Sequence, residues 1–146
     1  MPGVTNPAEP FFKDGAWGWD LTKWRKLPLV FGYTDRWQED LSETLVGDQN
    51  WSGNTVAVPA GYIYVAQFMH FQNNGGARGA RYMAFRVGAV IHHCAYTLAP
   101  PQYVPDIWNG GIPMKEGDYI AMYQGSCLDG DAIKAGVWGY KMAIAE

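Results

Sequence analysis

"CLDGDAIKAGVWGYKMAIAE", residues 127–146, turns at Asp129-Gly130-Asp131 and then alternates with a period of two. Successive side chains of a strand point to opposite sides. Ile133, Ala135 and Val137 therefore share one face, and Lys134, Trp138, Tyr140 and Met142 share the other. A strand with one wet face alternates cleanly between apolar and polar residues. Here both faces carry apolar residues, which predicts that one packs in a core and the other meets a neighbour. Trp138, Tyr140 and Met142 are the candidates for an interface between copies of the chain.

The same pattern runs back to about residue 50. YIYVAQFMHFQN (62–73) is rich in β formers, and Asn73-Asn74-Gly75-Gly76 stops it with turn chemistry. RYMAFRVGAVIHHCAYTL (81–98) is too long for one ordinary strand, and Gly88 marks a bend or hairpin within it. KEGDYIAMYQGS (115–126) reads as a turn and a strand. TVAV (55–58) reads as a short strand closed by Pro59-Ala60-Gly61, and APPQYVPDIWNGGIP (99–113) as a loop with a short strand at most. Seven or eight short strands in about a hundred residues predict an all-β fold, a β-sandwich or jelly roll. No segment of helical period is long enough to compete.

Upstream the pattern is lost. Pro2, Pro7, Pro10 and Pro28 interrupt the chain, and proline excludes regular interior structure. Asp20 is placed to cap a helical turn through Lys26, and TDRWQEDLSETL (34–45) reads as another turn or the lead into a first strand. The expected organisation is an extended N-terminal arm with little regular structure over residues 1–50, and a β-sandwich over 51–146. The arm holds four of the seven tryptophans: Trp17, Trp19, Trp24 and Trp37. Three readings compete for them. The rings anchor the arm in a partner, or fold back onto their own β domain, or lie on the surface as platforms for sugars.

The formal charge of −3 lies in the first 50 residues, which hold five basic and eight acidic side chains. No basic patch stands out, so no nucleic-acid partner is expected. GGARGARYMAFR (75–86) reads as a glycine-rich turn running into a strand. No window reaches the roughly 18 apolar residues of a membrane span, so no membrane partner is expected. MPGVTNPAEPFF lacks the basic start and apolar run of a signal peptide, which argues for use without secretion by the usual route.

Catalytic signatures are missing as well. Ser42, Ser52 and Ser126 are the only serines, and no nucleophile elbow, phosphate loop or dinucleotide fingerprint is present. His92 and His93 are neighbours and face opposite ways on a strand, so at most one can join His70. Two histidines without a placed carboxylate make a poor metal site. Cys94 and Cys127 fall in or beside apolar runs and read as buried free thiols. The expectation is a protein without enzymatic activity, cofactor or metal.

VPAGYIYVAQFMHFQNN (58–74), VGAVIHH (87–93) and MKEGDYIAMYQGSCLDGDAIKAGVWGYKM (114–142) together resemble the head decoration, or cement, proteins of tailed phages. The resemblance covers about 90 residues and rests on turn and strand signals. It implies a compact β domain with a terminal arm, assembled as a homotrimer on the outer capsid surface of the virion, with the major capsid protein as partner. On that view Trp17, Trp19, Trp24 and Trp37 are contacts to the shell or to neighbouring subunits. The alternative is a carbohydrate- or receptor-binding module of a phage tail.

Overall fold

The computed structural model describes residues 35–75 and 78–143, together with the backbone of 17–19 and 24–26. Eleven strands are present among them and no helix: β1 (Trp17–Trp19), β2 (Trp24–Lys26), β3 (Asp35–Asp40), β4 (Glu43–Thr44), β5 (Gln49–Asn54), β6 (Tyr62–Asn73), β7 (Arg81–Val87), β8 (Val90–Thr97), β9 (Asp106–Met114), β10 (Tyr119–Cys127) and β11 (Ala132–Ala143). The fold is all-β, and its two main sheets form a sandwich. One has the order β5-β10-β7-β8. The other has the order β3-β11-β6-β9, with β4 also pairing β11. Every pairing is antiparallel.

Alternation explains the core. Ile133, Ala135 and Val137 of β11 are buried beside Met69 and Phe71 of β6. Facing them from the other sheet are Trp51, Met83, Ile120 and Met122. Each such side chain contributes about 1.5–3 kcal/mol when fully buried. Trp51 reaches across the sandwich to Phe71, ring centroids 5.1 Å apart. An ion pair with a buried guanidinium also crosses it. Arg81 on β7 donates from Nε to Asp106 on β9 at 2.7 Å, and from Nη2 to the Val104 carbonyl at 2.8 Å. Its guanidinium lies 5.4 Å from the Phe71 ring centroid.

The turns use the residues that such turns need. The β7–β8 hairpin turns at Gly88, whose φ of 58° lies in the left-handed region. After β6, the Asn73 side chain accepts the Gly75 N–H at 2.7 Å and donates to Asp131 at 3.1 Å. Gly75 sits so close to the Asp131 carboxylate that no Cβ fits between them.

Several expectations need correction. The sandwich begins at Asp35 and not at residue 51, because β3 and β4 pair with β11. Trp37 therefore belongs to the sandwich. Trp24–Lys26 is not the end of a helical turn but a strand, paired with Trp17–Trp19 in register Trp19↔Trp24. Aromatic residues favour that backbone. TVAV is not a ladder strand. The Thr55 hydroxyl accepts the Ile120 N–H at 3.0 Å, so a side chain takes the place of a ladder bond. The stretch read as a loop contains nine-residue β9. Its Asn109-Gly110-Gly111 looks like a turn in sequence. In the fold Gly110 lies against the Trp108 ring, where a Cβ would collide.

Candidate functional site

The outer face of the five-stranded sheet carries a hollow centred on Gly136. Even-numbered residues of β11 point outward, so Lys134, Gly136, Trp138, Tyr140 and Met142 form one row along the strand. Gly136 pairs with Asp40 of β3 on one side and with His70 of β6 on the other. Its missing side chain leaves a gap between those two. The result is a cavity of about 260 Å³ lined by Gln38, Glu39, Asp40, Ser42, His70, Gly136 and Trp138.

Aromatic rings form one wall. Trp138 stacks on His70, with centroids 5.0 Å apart and planes at 28°. It also meets Phe68 at 5.3 Å with a tilt of 51°. Trp138 keeps 38% of its surface exposed. The polar wall is Asp40. Hydrogen bonds from the Ser42 side chain and backbone N–H hold its carboxyl below the usual carboxylate range. The backbone bond measures 2.8 Å to Oδ1. His70 completes the rim. Burial lowers its pKa against the opposing pull of Asp40, and its Nδ1 is buried with no hydrogen-bond partner.

Glu39 lines the hollow beside Asp40 but has its carboxylate elsewhere. Neighbours on a strand face opposite ways. Its Oε1 accepts Trp37 Nε1–H at 2.9 Å, and its Oε2 accepts the Val56 N–H at 2.8 Å. The hollow thus has one available carboxylate.

The residues singled out from sequence fare differently. Trp37 is 5% exposed and packs on Tyr64, centroids 5.0 Å apart. It is a core residue and not a partner contact, because β3 places it on the inward face, paired with Gly139. The side chains of Trp17, Trp19 and Trp24 lie outside the described residues. Trp138, Tyr140 and Met142 share the outer face as expected, with Tyr140 and Met142 half-buried. His70 lies on one sheet while His92 and His93 lie on the other. His92 stacks on Phe85 at 4.7 Å and His93 on Tyr82 at 4.8 Å. Cys94 and Cys127 are free thiols, and burial raises both pKa values. Asp40, His70 and Gly136 come together only in the fold. Their one sign in sequence is a glycine at an outward position between Lys134 and Trp138.

A second aromatic row crosses the outer face of the other sheet. Tyr123, Tyr82, His93 and Tyr96 stack in succession at 5.2, 4.8 and 5.5 Å. These rings spend their faces on one another, as cross-strand pairs that hold a sheet together. The Gly136 hollow differs in that an aromatic residue and a carboxylate line one cavity.

No family model matches the chain, and a search of curated proteins finds no match. Among solved structures, the chain is similar to one described as "CBM4 structure and function". That similarity has a TM-score of 0.29 and 12% identity, and covers 70% of this chain and 80% of the other.

Proposed function

We propose that this β-sandwich binds a saccharide in the hollow over Gly136. The observation that carries the reading is the convergence of Trp138, His70 and Asp40 on one small cavity. Sugar rings have an apolar face and a rim of hydroxyls. An indole suits the first, and a carboxylate suits the second. Pockets for drug-sized ligands run from roughly 300 to 1,000 Å³. At about 260 Å³ the hollow is suited to one sugar unit, a terminal residue or a single unit of a chain. Hydrolysis of a glycosidic bond by the usual route needs two carboxyl groups across the bond. With the Glu39 carboxylate held by Trp37 and Val56, the arrangement favours binding over cleavage. The test is retention of the full chain on an array of immobilised glycans. The expected result is a defined set of retained glycans that the Trp138→Ala variant loses. An array on which both proteins behave alike overturns the reading.

A second reading follows from the resemblance to head decoration proteins, and a different surface supports it. The β7–β8 hairpin and the segment after it expose Val87, Val90, Ile91, Tyr96 and Leu98. Exposed apolar residues in a contiguous run mark protein contacts. On this reading the chain docks as a homotrimer on a major capsid protein at the outer surface of a virion. Co-sedimentation with undecorated shells and a trimeric mass in solution are its expected results. A monomer that leaves the shells bare overturns it.

A further inference from the structure

We infer that the sugar unit held over Gly136 carries an amine, so that the preferred ligand is an amino sugar with its nitrogen free. This rests on the saccharide reading above and narrows it. The hollow is biased toward groups that accept hydrogen bonds or attract positive charge. Asp40 presents a carboxylate on one side. The Glu39 backbone carbonyl lies 3.2 Å from where a Gly136 side chain would begin. His70 borders the hollow on the other side, and burial favours its neutral form. The Trp138 ring adds a negative π surface, which favours a cation within about 6 Å of a ring centroid. An ammonium group meets all of these at once. A sugar carboxylate would meet the Asp40 charge and the Glu39 carbonyl, with no fixed cation in the lining to offset them. Lys134, exposed on the same face outside the lining, already interacts with the Asp40 charge, so a bound ammonium competes with it there.

The experiment is calorimetric titration of the full chain at about pH 6, where a sugar amine is protonated. Three ligands of equal length are compared: a glucosamine oligomer, its N-acetylated form and a galacturonate oligomer. The expected order is amine first, acetylated second and uronate last, with about a tenfold preference for the amine. The preference should shrink as salt is raised. Asp40→Asn should bring the amine and acetylated affinities together, whatever it does to either. Equal or tighter binding of the acetylated ligand, or tightest binding of the uronate, overturns the inference and leaves the saccharide reading standing. If none of the three binds, and no glycan on the array does either, both fall.

Discussion

His70 and Trp138 stack diagonally across β6 and β11, with ring centroids 5.0 Å apart and planes at 28°. In the ladder His70 stands opposite Gly136, and Trp138 stands opposite Phe68. The glycine leaves the indole and the imidazole free to meet over its backbone. The same absence of a side chain opens the hollow beside them. One residue choice on β11 thus orders the aromatic wall and makes the cavity.

Replacing the indole should separate binding from folding. Trp138→Ala removes the wall, and saccharide affinity should fall at least about tenfold. The protein should stay folded, losing about 0.5–1.5 kcal/mol per ring pair on top of the area term of a partly buried side chain. Titration calorimetry and a thermal melt of the same sample check both halves.

The two outward and inward glycines of β11 should behave in opposite ways. At Gly139 a Cβ would run into the Val65 backbone carbonyl, which cannot move without breaking the ladder. Gly139→Ala should therefore cost about 1–3 kcal/mol or more in urea unfolding. At Gly136 an added Cβ meets His70 Cε1 at 3.0 Å and the Glu39 backbone carbonyl at 3.2 Å, contacts that small shifts can relieve. Gly136→Ala should cost much less stability, yet close the hollow and abolish binding.

Acid should weaken the sandwich through Asp131. Hydrogen bonds from Arg78 are the main cause that lowers its pKa from 3.8 to about 2. Arg78 grips both carboxylate oxygens, at 2.9 and 3.0 Å. The folded state binds its proton less readily than the unfolded state does. The stabilisation is thus complete above pH 4 and is lost as pH falls through about 2. A shift of this size corresponds to about 2 kcal/mol. Asp131→Asn cannot titrate, so its stability should fall less steeply between pH 4 and pH 2 than that of the wild type. Denaturant melts at the two pH values measure the difference.

The Arg81–Asp106 pair should be costly to break from one side. Arg81→Met leaves a carboxylate at the sandwich rim that, among the described residues, keeps the Thr97 hydroxyl at 3.0 Å. Losing one partner of a buried pair typically costs about 3–5 kcal/mol. Adding Asp106→Asn removes the stranded charge and should recover part of that loss. A double-mutant cycle of unfolding free energies tests for the coupling.

Much of this fold was legible because strand alternation and turn residues are local signals. YIYVAQFMHFQN corresponds to β6 from end to end, and Gly88 turns the hairpin it was expected to turn. The inward set Ile133, Ala135 and Val137 is the buried set. What failed was set by pairing at a distance. β3 was hidden because DRWQED holds a single large apolar residue, and only pairing with β11 makes it a strand. β9 was hidden by two glycines that serve Trp108 and a local irregularity opposite Gln67 instead of a turn. The candidate site was the least legible part. Asp40, Gly136 and His70 are far apart in sequence, and only the order β3-β11-β6 brings them into one row.

The most direct test of the saccharide site is an amide and indole NMR titration of the full chain with the glucosamine oligomer. The account predicts shifts concentrated at Asp40, His70, Gly136 and the Trp138 indole N–H, saturating as the site fills. Shifts confined to the other sheet, around Tyr82, Tyr96 and Tyr123, or no shift with this or any acetylated or neutral oligomer, would contradict it.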